Sequence, residues 1–308
     1  MKIAVLGGGN GSFAAAGDFA LQGHDVRLWR RDTAQVEAHR AAGSRITLKD
    51  ARGRHDVQLA LVTSDIAAAT SDAELILCPA PAFAQYDIAR RLAPHLAGGQ
   101  VVFLPPATFG SMIFAEAMRD SGNHAAVSFA ETGTLPWLTR KHGPFEVAIT
   151  IRAKRLPVGV FPLDTAGHAI EVIGRAFPGV IEPCGDALSA ALMNAGPIIH
   201  PPLIVMNAGP IEHFERWDIH KEGTQAAIRG HRRARRRTHR GARRIWLLQP
   251  AFPTGASLCQ RGRAMDVWPR LARSADRFRR LARADRAVGA SLHAGRFTPR
   301  PVVAGFGG

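Results

Sequence analysis

Cysteine is scarce in this chain of 308 residues. Its three cysteines, Cys78, Cys184 and Cys259, are too few and too odd in number for the disulfide framework of a small secreted domain. The opening residues carry one lysine followed by glycines, which is not typical of a secretory signal peptide. We therefore expect a protein of the reducing cytoplasm.

Long apolar runs without helix breakers are also missing. Residues 188–211 contain no Asp, Glu, Lys or Arg, but their four prolines, two glycines, two asparagines and one histidine argue against a membrane span. The chain has no HExxH, CxxC or GxSxG motif, so neither a zinc site nor a serine hydrolase is supported. We expect no metal and no membrane partner.

The net charge of +15 is confined to one part of the chain. Residues 1–228 hold 20 Lys and Arg against 22 Asp and Glu, whereas residues 229–308 hold 20 Arg and 3 Asp, and no Lys, Glu or Tyr. Such an Arg-rich composition is typical of a GC-rich gene read in the wrong frame. A nucleic-acid-binding arm is a less favoured alternative, and an unusual genuine domain is a third.

The first part of the chain alternates between strand and helix patterns. An apolar strand at Ile3–Leu6, a glycine loop, an Ala-rich helix and a strand at Val26–Trp29 make a βαβ unit, and Asp18 suggests that the helix is amphipathic. Further strands and helices alternate as far as about residue 151. The sequence therefore predicts the α/β class: a doubly wound parallel sheet, or Rossmann domain, at residues 1–182 and the start of a helical domain at 183–228.

The glycine loop after the first strand is typical of a dinucleotide-binding turn. Glycine allows the tight turn and a close approach of the pyrophosphate, and the following helix offers unpaired N–H groups to the phosphates. The alternative is a glycine-rich turn without a ligand. The loop residues expected to bind the cofactor are Gly7, Gly8, Gly9, Asn10, Gly11 and Ser12.

The end of the second strand bears on the choice between NAD and NADP. An acid there binds the ribose 2′-hydroxyl, and an arginine favours the 2′-phosphate. Arg30 and Arg31 precede Asp32, so NADP is weakly favoured over NAD, unless both arginines are simply solvated. Pro79 follows the strand Leu75–Cys78 at the edge of the sheet where ligands bind, so we expect it to contact the cofactor. We expect Cys78 itself to be a buried apolar residue.

His200 is the candidate catalytic residue. It stands beside a Pro-Pro pair in the uncharged segment that would line an interdomain cleft, where an imidazole can exchange a proton near neutral pH. A core or capping histidine is the alternative. The segment carries two related pieces, NAGPIIH at 194–200 and NAGPIEH at 207–213.

Up to about residue 228, the sequence resembles the octopine/nopaline (opine) dehydrogenase family. The resemblance rests on KIAVLGGGNGSFAAAGDFALQGHDVRLW, CPAPAFAQYDIARRLAPHLAGGQVVFLPP, ETGTLPWLTR and NAGPIIHPPLIVMNAGPIEHFERW. It implies a second domain like that of 6-phosphogluconate dehydrogenase, and an NAD(P)H-dependent oxidoreductase that joins an amino acid to a 2-oxo acid. By this resemblance, His200 would exchange the proton, and Asn194 and Asn207 would bind substrate. The oligomeric state is left open, with a homodimer as one alternative.

The sequence departs from this family after residue 228. Family members pair the histidine with an Asp and hold a substrate carboxylate with an Arg further along, and nothing in residues 229–308 matches those positions. If the tail is aberrant, the helical domain is incomplete and this chain has lost activity. A ketopantoate-reductase-like or glycerol-phosphate-dehydrogenase-like enzyme is the alternative, although Lys221, the one lysine after Lys154, does not match their catalytic position.

Overall fold

A computed structural model describes residues 1–194 and 196–217 of the chain. The Arg-rich tail at 229–308, with its alternative interpretations, and Lys221 lie outside the described residues. Nine α-helices are found in the described part: α1 (Asn10–Leu21), α2 (Thr33–Ala41), α3 (Ile66–Thr70), α4 (Ala82–Leu92), α5 (Gly110–Asp120), α6 (Ala166–Ala176), α7 (Ala187–Leu192), α8 (Gly196–Met206) and α9 (Ala208–His213).

The same residues form twelve strands. They are β1 (Lys2–Leu6), β2 (Asp25–Trp29), β3 (Arg45–Asp50), β4 (Gly53–Gln58), β5 (Leu61–Thr63), β6 (Leu75–Leu77), β7 (Val101–Leu104), β8 (Ser128–Glu131), β9 (Trp137–Lys141), β10 (Glu146–Arg152), β11 (Leu156–Phe161) and β12 (Ile181–Asp186). The strands that the sequence predicts at β1, β2, β6 and β7 match to within one residue.

Eight of the strands form the larger sheet, in the order β12-β11-β8-β7-β6-β1-β2-β5. All neighbours run parallel except β8 and β11, which are antiparallel. On β1, Ile3 and Val5 join the core that contains α1 and α6, whereas Ala4 and Leu6 join the core that contains α3, α4 and α5. Because successive strand side chains face opposite sides, helices cover both faces, and the predicted Rossmann sheet is confirmed.

A second sheet of four strands, in the order β4-β3-β10-β9, was not predicted from the sequence. It packs on α1, where a Cβ built on Gly17 would lie 3.4 Å from Ile46 and 3.6 Å from Leu48 on β3. The helix therefore lies between two sheets and is buried continuously from Gly11 to Phe19. A helix with sheets on two sides has no solvent face, so the expected amphipathic pattern of α1 is wrong.

Asp18 shows the consequence of this double coverage. It is only 5% exposed, and its carboxylate forms an ion pair of 2.8 Å with Arg152 and accepts a hydrogen bond of 2.8 Å from Trp137 Nε1. Arg152 also pairs with the buried Asp50 at 2.8 Å. A charge that the sequence pattern places in solvent is thus a buried link between α1 and the second sheet.

The end of the larger sheet lies close to the expected domain boundary. Strand β12 runs from Ile181 to Asp186, so the proposed boundary after residue 182 falls within it. Helix α7 packs directly on β11, where a Cβ built on Gly159 would lie 2.8 Å from that of Ala190. Of the helices in the described part, none has both the length and the apolar character needed to cross a membrane.

Candidate functional site

The glycine loop makes a sharp turn between β1 and α1. Gly7 has φ +119°, a conformation that side chains rarely adopt, and its N–H donates to the Trp29 carbonyl over 2.9 Å. A Cβ on Gly7 would lie 2.7 Å from Ser12 Oγ, which itself donates to the Leu6 carbonyl over 3.4 Å. The turn is therefore closed on its inner side by Ser12 and holds the start of α1 beside the end of β1.

The outer side of the loop is open. Gly9 precedes α1 without a capping side chain, and a Cβ built there would meet nothing within 4 Å. The first N–H groups of a helix lack partners within the helix and carry partial positive charge, so they can bind an anion at this opening. Gly11, two residues further, lies against Pro79, whose Cβ is 3.1 Å from the position of a Gly11 Cβ.

Arg30, directly after β2, lies over the glycine loop. It is 6% exposed, and its Nε is 2.9 Å from the position of a Cβ on Gly8. The guanidinium stacks 5.3 Å from the centre of the Phe13 ring and donates to Gln35. Burial lowers the pKa of Arg30. Arg30 is thus a desolvated cation at the place where the sequence predicts a 2′-phosphate.

Arg31 and Asp32 point to other partners. Arg31 is exposed and forms an ion pair of 3.3 Å with Asp87 on α4. Asp32 caps α2, since its Oδ1 accepts from the Gln35 N–H over 3.1 Å and its Oδ2 accepts from the Gln35 side chain over 2.8 Å. These hydrogen bonds hold the pKa of Asp32 below its usual range. The acid is therefore engaged in capping α2.

Lys141, at the end of β9, is a residue of this site that the sequence analysis missed. Its backbone N–H donates to Asn10 Oδ1 over 2.9 Å, and its Nζ lies 3.4 Å from the Gly8 carbonyl and 3.7 Å from the centre of the Phe13 ring. No local motif marks it, because 131 residues separate it from Asn10. The second sheet thus contributes a cation to the glycine loop.

Cys78 and Pro79 occupy the turn after β6. Cys78 is fully buried, and burial raises the pKa of its thiol to about 12, so the predicted apolar role is confirmed. Cys184 also has a raised pKa, of about 11, first because of burial and then because of the nearby Asp186. Neither thiol is a nucleophile at neutral pH.

A buried acid lies at the same edge of the larger sheet. Glu131, the last residue of β8, is 0% exposed and accepts hydrogen bonds from the Phe109 and Ser111 backbone N–H groups and from Ser111 Oγ, at 2.9, 2.8 and 2.7 Å. Burial raises the pKa of this carboxyl, and the hydrogen bonds oppose the rise without cancelling it. Glu131 thereby fixes the start of α5, a position that the sequence analysis did not assign.

Asn194 connects this edge to the helical segment. Its Nδ2 donates to Thr108 Oγ1 over 2.7 Å, and its Oδ1 accepts from the Gly196 N–H over 2.8 Å. A Cβ on Gly133 would lie 2.6 Å from the Cα of Asn194, so only glycine allows this approach. Asn194 therefore places the first turn of α8 beside the loops that follow β7 and β8.

His200 is exposed and lies one turn along α8, its Cδ2 3.8 Å from the position of a Cβ on Gly196. No side chain within residues 1–194 or 196–217 forms a hydrogen bond or ion pair with it. Asn207 is 0% exposed, donates to the Leu203 carbonyl over 2.7 Å and accepts from Trp217 Nε1 over 3.2 Å. Asn207 is therefore held by hydrogen bonds within the protein, whereas the side chain of His200 is accessible to solvent.

The part of the chain that the structure describes contains no cluster of three or more His, Cys, Asp or Glu side chains that could hold a metal ion. The groups at the sheet edge are instead glycine backbone, two cations and an anchored helix start. This arrangement suits an anionic organic ligand.

Comparison with known proteins agrees with this geometry. Residues 2–104 match the family model described as the N-terminus of NAD-dependent glycerol-3-phosphate dehydrogenase. An opine dehydrogenase from Arthrobacter sp. (strain 1C) is 30% identical over 229 residues, which are 73% of this chain and 62% of that protein. A vitopine synthase from Allorhizobium ampelinum is 27% identical over 228 residues, 69% of this chain and 59% of that protein. The chain thus spans about three fifths of the length of these relatives.

Solved structures share the fold. An octopine dehydrogenase in complex with NADH and agmatine superposes with a TM-score of 0.66 at 21% identity, covering 82% of this chain and 66% of that one. A yersinopine dehydrogenase with NADP⁺ bound gives 0.56 at 17% identity, covering 73% and 58%. A ketopantoate reductase from Ralstonia eutropha gives 0.51 at 18% identity, covering 83% of each chain. The resemblance noted in the sequence is confirmed: over 229 aligned residues, this chain is 30% identical to an opine dehydrogenase.

Proposed function

We propose that this chain is an NAD(P)H-dependent oxidoreductase of the opine type, which condenses an amino acid with a 2-oxo acid and reduces the product. The observation that carries the proposal is the open glycine loop, with its bare Gly9 and the free N–H groups of α1 at the edge of a parallel sheet. Ligands of open α/β sheets bind at this edge. The homology to opine dehydrogenases supports the same reaction class.

In this proposal, different groups of the chain bind different parts of the cofactor. The first turn of α1 binds the pyrophosphate, while Arg30 faces the adenosine ribose. A bound reduced nicotinamide would supply hydride to the carbon of the substrate imine. The imine itself forms when the amine displaces the carbonyl oxygen of the 2-oxo acid as water, a step that requires proton transfer.

His200 is the residue proposed to transfer that proton. It is exposed on α8, and Asn194 fixes the beginning of the same helix at the sheet edge. A neutral imidazole accepts and returns a proton near pH 7. The family resemblance assigns both Asn194 and Asn207 to substrate binding. Because the hydrogen bond to Thr108 keeps Asn194 at the sheet edge, we propose that Asn194 lies nearer to the substrate than Asn207 does.

NADP is the proposed cofactor in preference to NAD. Arg30 occupies the first position after β2, and Asp32 is engaged at the N-terminus of α2. A 2′-phosphate would thus meet the guanidinium of Arg30 directly after β2, ahead of the acid that would bind a ribose 2′-hydroxyl.

A glycerol-phosphate-dehydrogenase-like reductase is the second candidate, favoured by the family match over residues 2–104. Both candidates share the cofactor loop, so the substrate decides between them. Purified full chain would be assayed for NADPH oxidation with glyoxylate-, pyruvate- and 2-oxoglutarate-type acids plus an amino acid panel, and separately with dihydroxyacetone phosphate. Turnover that requires both the amine and the oxo acid supports the opine proposal; turnover with the sugar phosphate alone overturns it.

The histidine assignment has a matched control. His200→Ala should lower kcat by about 100-fold or more, the typical contribution of a general acid or base. His213→Ala, on the neighbouring α9, should leave kcat unchanged. Equal activities of the two variants in an active preparation would remove His200 from the reaction.

A further inference from the structure

Two cations share one aromatic ring beside the glycine loop. Arg30 lies 5.3 Å and the Lys141 ammonium 3.7 Å from the centre of the Phe13 ring. Both also contact Gly8: the Arg30 Nε is 2.9 Å from a Cβ position there, and the Lys141 Nζ is 3.4 Å from its carbonyl oxygen. Gly8 thus has one cation from the larger sheet and one from the second sheet.

Neither cation forms an ion pair within the described part of the chain. No carboxylate there lies within 4.0 Å of Arg30 or Lys141, whereas the neighbouring Arg31 is paired with Asp87. Burial lowers the pKa of both groups, and Arg30 further lowers the pKa of Lys141. Asp32 acts on Arg30 without forming an ion pair with it, and a bound dianion would give both desolvated cations a direct partner.

The position of Lys141 is fixed independently of any ligand. Its backbone donates to Asn10 Oδ1, the first residue of α1, and its side chain follows the Phe13 ring back to Gly8. A lysine anchored at both ends loses little freedom when it binds an anion, so each hydrogen bond it forms is worth more.

We propose that Lys141 determines cofactor specificity: together with Arg30 it holds the adenosine 2′-phosphate of NADP(H). In the proposed binding mode the pyrophosphate would lie at Gly9 and the start of α1, and Gly8, beside both cations, would lie on the ribose side of the loop. This inference rests on the proposed dinucleotide function. It adds a residue from outside the βαβ unit, contributed by the sheet that covers α1.

The affinities of two nucleotides distinguish recognition of the 2′-phosphate from a general attraction of Lys141 to phosphate. Full-length protein would be titrated calorimetrically with 2′,5′-ADP and with ADP, whose second phosphate lies in the pyrophosphate position. Lys141→Gln should weaken 2′,5′-ADP binding by about tenfold, the loss of one hydrogen bond between charged groups, and change ADP affinity by less than about twofold. Lys154→Gln, an exposed lysine on the turn after β10, is the matched control and should change neither affinity.

Lys141→Arg keeps the charge and tests whether the charge itself matters. It should restore most of the 2′,5′-ADP affinity, and melting temperatures would show whether each variant is folded. An equal loss for both nucleotides would assign Lys141 to the pyrophosphate and overturn the proposal, as would unchanged 2′,5′-ADP binding. If the wild-type chain binds neither nucleotide, the dinucleotide function itself fails; if it binds ADP but gains nothing from the 2′-phosphate, only this inference fails.

Discussion

The Rossmann part of the chain and the segment α7–α9 bury their apolar side chains very differently. In the first, Phe13, Phe19 and Phe103 are each 0% exposed. In the second, Val205 is 73% and Phe214 58% exposed. The cofactor site is thus built on a complete core, whereas the helix that carries His200 presents apolar surface within the described residues.

This contrast distinguishes the proposed cofactor loop from the helix that carries the proposed catalytic residue. Gly7, Ser12 and Pro79 are fixed by strands and helices packed around them. Within residues 1–194 and 196–217, no side chain forms a hydrogen bond or ion pair with His200, and the acid that the family resemblance pairs with it would lie beyond residue 228. We therefore expect cofactor binding and catalysis to respond to different substitutions in this chain.

The largest effect is expected from a matched pair of phenylalanines. Phe103→Ala removes a fully buried ring from β7 and should lower the free energy of unfolding by about 4 kcal/mol. Phe214→Ala removes an exposed ring stacked on Trp217 at 5.4 Å and should cost about 1 kcal/mol. Urea unfolding measures both. Equal losses would contradict the difference in packing between the two regions.

A substitution at Gly9 should separate binding from stability. The position is open, its φ of −84° suits any residue, and aspartate is a good N-cap. Gly9→Asp should leave the melting temperature equal or higher, yet weaken NADPH binding by about 100-fold, or ~2.7 kcal/mol, because a carboxylate would face the pyrophosphate. Gly9→Ser, uncharged and also a good cap, is the control. Unchanged NADPH affinity in the Asp variant would place the phosphates elsewhere.

The stability that the Asp50–Arg152 ion pair of the second sheet contributes should depend on pH. Burial alone would raise the pKa of Asp50, but the Arg52 backbone N–H and the Arg152 guanidinium outweigh burial and hold it well below 3.8. An acid with a lowered pKa stabilises the folded state above its unfolded value and loses that effect as the pH falls below it. The stability difference between wild type and Asp50→Asn should therefore be greatest near neutral pH and shrink below about pH 4. A constant difference from pH 3 to 7 would exclude this ion pair as a source of stability.

Much of the Rossmann sheet could be predicted from the sequence because its central strands contain short apolar runs. The four residues of β7, VVFL, are an example. The second sheet could not, since β3 and β4 mix charged and apolar residues and are completed by β9 and β10, about 90 residues further on. Asp18 was misjudged for the same reason: its helix is covered from a side that local periodicity does not reveal.

The glycine loop and Arg30 could be assigned from the sequence because local order fixes them: a loop follows a strand, and a basic pair follows the next strand. Lys141 could not, because only the packing of β9 on α1 brings it to Gly8. Asn207 was assigned to substrate from the family resemblance, and the structure places its buried amide in hydrogen bonds with Leu203 and Trp217.

The most direct test of this account is a fluorescence titration of the folded, full-length chain with NADPH and with NADH. We expect saturable binding of NADPH, a higher melting temperature in its presence, and weaker binding of NADH. A well-folded preparation that shows neither a fluorescence change nor a thermal shift with either dinucleotide would contradict the central claim.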